Sequence, residues 1–132
     1  MVGDQDMIAI GLGCRKGCGS EAVIRLVRRA LATAGCSDAR ASLFTHVDKR
    51  DEMGLVEAAR TLGLTLNFLD ANVLRLASNR AATRSMRVMQ LFGLPSIAET
   101  AALAGAGPNA MLILPRMSEG GASCAIAATE RI

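Results

Sequence analysis

The chain has 132 residues, 51% of them apolar, and a formal net charge of +3. That length predicts one domain spanning 1–132, and the apolar share can fill a sizeable core. So small a net charge, with no nucleic-acid-binding motif, argues against a nucleic-acid partner, and no apolar run has the length of a membrane helix.

The core must be aliphatic, since there are three Phe and no Trp or Tyr. This favours helices packed on a sheet over an aromatic-rich sandwich. The opening MVGDQDM has no basic segment followed by an apolar one, so no secretory signal is read and a cytoplasmic protein with reduced thiols is expected.

In chain order, residues 7–13 (MIAIGLG) form a short apolar run ending in glycines, which predicts a buried strand. Gly19 and Ser20 then lead into a helix with Val23, Val27, Ala30 and Ala34 on one face. Ile24 and Leu31 lie beside that face, Glu21, Arg25, Arg28 and Arg29 lie opposite, and Gly35 is the stop. Residues 41–47 (ASLFTHV) predict a second strand, DKRDE a polar loop, and residues 52–62 a helix with Leu55, Val56, Ala59 and Leu62 inward and Gly63 as its stop. Residues 65–70 predict a third strand, with Asp70 capping a helix over 71–77. Over 78–94, Arg80, Arg84 and Arg87 recur at helical spacing, and water is the default environment of such a face. Ser96-Ile97-Ala98-Glu99 reads as a capping box for a helix ending near Gly105. Strands are predicted over 110–115 and 122–128, with RMSEGG as the hairpin turn.

This order predicts an α/β fold: a three-layer α/β/α sandwich with a mixed, mostly parallel sheet and a C-terminal β-hairpin. In such sheets, ligands bind outside the carboxyl ends of the strands. Arg15 and Lys16 fall at the end of strand one, Lys49 and Arg50 just past strand two, and Arg116 after strand four. Gly17 and Gly19 let the backbone approach a ligand, and the next helix offers its N-terminal amides to an anion. Such a basic cleft suits a molecule bearing several carboxylates or phosphates.

Other chemistries fit less well. Gly11 and Gly13 begin a dinucleotide fingerprint, but Lys16 occupies its third glycine position, so a nucleotide-binding module ranks last. Cys14 and Cys18 are spaced C-x-x-x-C, with Cys36, Cys124 and His46 scattered elsewhere, so separate thiols are expected, with no metal and no cofactor. His46 on a strand pattern reads as a packed histidine, and no nucleophile–histidine–acid set can be assembled.

Four segments in order, GLGCRKG (11–17), THVDKRDEMGL (45–55), SIAETAALAGAG (96–107) and MLILPRMSEGGASCAIA (111–127), resemble the CobE / CbiG C-terminal domain family of cobalamin biosynthesis. Lys49, Glu52 and Gly54 fall where that family shows a lysine, a glutamate and a glycine. Arg116 stands where a lysine is common, and Cys18 where a threonine or serine often begins the helix.

The resemblance implies a small α/β/α sandwich in corrin-ring synthesis whose ligand is a precorrin or corrinoid intermediate, with other enzymes of the pathway as further partners. On the charge map, the expected ligand-binding residues are Gly13, Cys14, Arg15, Lys16, Gly17, Thr45, Lys49 and Arg116. Longer members of the family open the lactone of cobalt-precorrin-5A and release acetaldehyde. The alternative is therefore a hydrolase, with Lys49, Glu52 and Glu99 as candidate catalytic groups beside His46. Glu99 is otherwise explained by the capping box and Glu52 by a helix N-terminus, so binding ranks above catalysis. A small-residue apolar surface would permit a homodimer.

Overall fold

The computed structural model describes residues 8–78 and 96–129. The expected Arg80, Arg84 and Arg87 face lies outside them. Chain order is β1 (Ile8–Cys14), α1 (Ser20–Thr33), β2 (Ala41–His46), a 3-10 turn (Val47–Lys49), α2 (Met53–Leu62), β3 (Leu66–Leu69), α3 (Ala71–Ala77), α4 (Ile97–Ala106), β4 (Ala110–Glu119) and β5 (Ala122–Thr129). The strands form one mixed sheet in the order β3-β2-β1-β5-β4. β1 pairs in parallel with β2, and β2 with β3, whereas β5 is antiparallel to both β1 and β4. Only β5 is therefore reversed, and the carboxyl ends of β1 to β4 share one edge.

β1 explains the layering. Side chains alternate across a strand. Ile8, Ile10, Leu12 and Cys14 point to one side and pack with Val23, Leu26 and Val27 of α1 and Leu55 and Ala58 of α2. The residues between them are Ala9, Gly11 and Gly13. A Cβ on Gly11 would strike the Ala98 carbonyl and the Ala102 nitrogen of α4. The bulky face of β1 thus holds two helices at side-chain distance, and the bare face lets one helix lie on its backbone. α4 is accordingly buried over its whole first part, Ile97 to Leu103, and α3 packs on it through Leu74. β5 repeats the division, with Cys124 and Ile126 on the α1 side and Ala125 and Ala127 on the α4 side.

Helix ends follow local chemistry. Asp70 accepts a hydrogen bond from Val73 N at 3.0 Å, and Gly63 closes α2 at φ 72° in the left-handed region. Inside α1, Leu26 belongs to the buried face together with Val23, Val27 and Ala30. In α2 the buried residues are Leu55, Ala58 and Ala59, with Val56 half-buried.

The hairpin departs from expectation. β4 continues through Arg116, Met117 and Ser118 to Glu119, and only Gly120 and Gly121 form the turn, at φ 59° and 86°. Two left-handed glycines match the right-handed twist of a tight hairpin. The sequence obscured this because β4 is irregular. Its register shifts between Leu112 and Leu114 and again between Leu114 and Met117, so Pro115 and Arg116 form a bulge before pairing resumes at Met117–Cys124.

Candidate functional site at the strand ends

The buried polar residues identify one end of the molecule. Thr45, His46, Ser96, Glu99 and Thr100 are the buried polar or charged side chains among the described residues. Thr45 and His46 finish β2, and the other three begin α4. Gly13, near the end of β1, lies under this start of α4, its Cβ position 3.8 Å from Ile97 Cβ. All five therefore gather at the carboxyl edge of the parallel strands, where an open α/β sheet places its ligands.

The first turn is tightly built. Arg15 N donates to the Gly121 carbonyl at 2.8 Å, and Cys18 N donates to the Arg15 carbonyl at 3.0 Å. Gly17 takes φ 80° with open space around it, a conformation that suits glycine. This curl brings Cys14 and Cys18 to a Cα separation of 6.1 Å, and their sulfurs are joined in a disulfide. The expectation of separate thiols is thereby corrected. The spacing alone could not show it, because the closure depends on the left-handed Gly17. Arg15 and Lys16, inside the ring, are exposed.

The second turn is bonded to the first. Lys49 ends the 3-10 turn, and its carbonyl accepts from Glu52 N at 3.0 Å. Glu52 is the N-cap residue of α2, yet its carboxylate does not cap that helix; Oε1 accepts from Gly17 N at 2.8 Å. Gly54 completes the joint, because a Cβ there would strike the Cys18 carbonyl. Cys14, Arg15, Lys16 and Gly17 are thus linked to Lys49 through Glu52. Thr45 lies beneath, fully buried, its hydroxyl donating to the Leu12 carbonyl at 2.7 Å. His46 caps the 3-10 turn, Nδ1 accepting from Asp48 N at 2.9 Å.

Arg116 and Glu99 form a separate pair. Arg116 sits within the bulge of β4 and not past the strand end, so it is not a tip residue as expected; its side chain is exposed. Ser96 Oγ accepts from Glu99 N at 3.4 Å, as one half of a capping box requires. The Glu99 carboxylate is fully buried, and Oε2 accepts the Arg116 amide at 3.0 Å. The bulge releases this amide from the ladder, and the carboxylate takes it up.

Two features had no reading in the sequence. Ser123 lies against Gly13, with Oγ 2.6 Å from the position a Cβ would take. Glu119, at the hairpin tip, bridges Arg25 at 3.1 Å and Arg29 at 2.9 Å on α1. Among the described residues, no group of three or more His, Cys, Asp or Glu is arranged to hold a metal ion. None of the described helices is long and apolar enough to cross a membrane.

Residues 8–127 match the family model described as Cobalamin synthesis G C-terminus. The chain belongs to that family. This cobalamin-synthesis chain is 36% identical over 121 residues to Protein CobE of Sinorhizobium sp, covering 91% of itself and 79% of that protein. It is similar to the crystal structure of a CobE described as a protein from the cobalamin (vitamin B12) biosynthetic pathway. There the TM-score is 0.86 at 36% identity, over 95% of this chain and 93% of the other. It is also similar to cobalamin biosynthesis protein chiG from Agrobacterium tumefaciens str. C58, with a TM-score of 0.74 at 35% identity over 94% and 99% of the two chains. Both bonded turns and the Glu99–Arg116 pair fall inside the stretch that matches the cobalamin-synthesis family.

Proposed function

We propose that this cobalamin-synthesis protein binds a precorrin or corrinoid intermediate at the carboxyl edge of its sheet. The observation that carries the reading is the Gly17–Glu52 hydrogen bond of 2.8 Å, which joins two lysine- and arginine-bearing turns into one rim. Precorrins carry several acetate and propionate arms around a broad, partly apolar ring. Arg15 offers a fork for a bidentate carboxylate contact, and Lys16 and Lys49 act as point charges. α1 adds the amides of a 14-residue helix whose N-cap, Gly19, has no side chain to occupy them. Leu and Met contacts supply the apolar surface. The intermediate would pass to or from other enzymes of the pathway.

The test is an absorbance-monitored titration with hydrogenobyrinic acid at low and moderate salt. Stoichiometric binding that weakens with salt is expected, because each carboxylate contact is an ion pair. Arg15→Ala and Lys49→Ala should each weaken binding at least several-fold while leaving the fold intact. No binding by folded protein, or unchanged curves for both variants, overturns the reading.

The second reading is a hydrolase that opens the precorrin-5A lactone and releases a two-carbon fragment. Its support is that a fully buried carboxylate, Glu99, and a buried imidazole, His46, lie at the same edge. Single-turnover assays with a lactone-bearing precorrin test it: product formation abolished by Glu99→Gln supports catalysis. Absence of product leaves Glu99 its bond to the Arg116 amide.

A further inference from the structure

We infer that Cys14 and Cys18 form a reversible dithiol/disulfide site whose oxidation state sets the order of the turn carrying Arg15 and Lys16. The ring encloses Arg15, Lys16 and Gly17, with the cysteines four residues apart. So short a ring confines little of the unfolded chain. The ends of the turn are also held by other bonds. Cys14 is paired with Ala122 in the sheet, and Arg15 N bonds to the Gly121 carbonyl. The fold is therefore expected to persist in both states, and the consequence of reduction to stay inside the turn.

The surroundings suit exchange. Cys14 is buried at the strand end, whereas Cys18 is half-buried and next to Gly19, the N-cap of α1. Arg15 and Lys16 stand between the two sulfurs in sequence. A helix N-terminus and neighbouring cations stabilise a thiolate, and stabilising the reduced form makes a disulfide easier to reduce. The other cysteines do not compete. Cys124 is fully buried with its thiol pushed up to about 12, and Cys36 follows α1 at the far end from its N-cap.

The co-reactant is a dithiol, small or protein-borne. Its thiolate attacks the more accessible Cys18 sulfur, the Cys14–Cys18 bond breaks, and Cys14 leaves as a thiolate that takes a proton. The second thiol of the reductant then attacks the mixed disulfide, releasing Cys18 and closing the reductant's own disulfide. Two electrons pass to the protein, and the reductant is oxidised by the same two.

The experiment equilibrates the purified protein in buffers of reduced and oxidised dithiothreitol. Thiols are trapped with a maleimide under denaturing conditions and counted by mass. Hydrogen exchange of residues 14–19 is followed in parallel on the native protein. Oxidised protein should take two labels, on Cys36 and Cys124, and reduced protein four. Reduction should raise amide exchange in the turn about ten-fold or more while exchange in β1 and β5 stays unchanged. The Cys14→Ser/Cys18→Ser variant should exchange like the reduced protein in either buffer. Four labels at every redox ratio, two labels until the protein unfolds, or equal exchange in both states overturns the proposal. None of these readouts uses a corrinoid, so they stand or fall separately from the ligand reading.

Discussion

Glu99 and Cys124 are buried titratable groups that exert their effects differently. The Glu99 carboxylate satisfies the Arg116 amide, and leaving such a buried donor unpaired costs about 1–3 kcal/mol. Glu99→Ala should lower the unfolding free energy measured by urea titration by about that amount, whereas Glu99→Gln, which keeps an acceptor oxygen, should lose less. Equal losses would show that the amide bond is not what the carboxylate contributes. For Cys124, burial raises the thiol from 9.0 to about 12, with the Arg29 charge acting weakly in the opposite direction. Above about pH 9 the unfolded chain therefore loses this proton while the folded chain keeps it. Stability from the neutral thiol is complete below that pH and is lost as pH rises toward 12. Melting temperatures measured between pH 8 and about 11 should fall more steeply in the wild type than in Cys124→Ala; parallel curves would refute this. Part of the candidate site was legible at this scale, since the turn of Arg15, Lys16 and Gly17 is hydrogen-bonded to the turn of Lys49 and Glu52. Their positions follow from strand ends, which apolar runs mark well. Arg116 was misplaced because a bulge lengthened its strand, and the disulfide was missed because it depends on one glycine's φ.

At the scale of elements, α4 lies directly on the backbone of β1 at Gly11. Gly11→Ala puts a methyl into backbone, where no rotamer can relieve it, and overpacking of this kind costs about 1–3 kcal/mol or more. The prediction is a lowered denaturant midpoint with an unchanged slope; a wild-type midpoint would mean that α4 can shift outward. Gly11 and Gly13, which begin an incomplete dinucleotide fingerprint, have packing roles: Gly11 lets α4 lie on the β1 backbone and Gly13 makes room for Ser123. The described helices and strands were otherwise legible within a residue or two of their ends, apart from the C-terminal part of β4. The reason is physical: continuous apolar runs, a capping Asp70 and Ser96, and stop glycines at 35 and 63 are all local signals. Pairing across β4 is not local, and Pro115-Arg116 looks like a turn until the Met117–Cys124 register is known.

For the whole molecule, β1 and β5 lie inside both helical layers, so neither layer can come away without exposing the sheet. Thermal unfolding followed by circular dichroism and by calorimetry should therefore give one coincident transition; two separated transitions would mean the layers unfold independently. The α/β/α arrangement was readable from element order alone, while the two clusters at its carboxyl edge required the three-dimensional register. The bulge in β4 has a consequence for the crowded cell. β4 is an edge strand with Met111 and Ile113 exposed, a surface on which another chain could add a strand. Pro115 has no N–H to offer a newcomer, and the N–H of Arg116 is turned inward to Glu99. Two successive residues of that rim thus give no donor to a stranger, and a fibril seeded at Met111 would find its ladder interrupted four residues on.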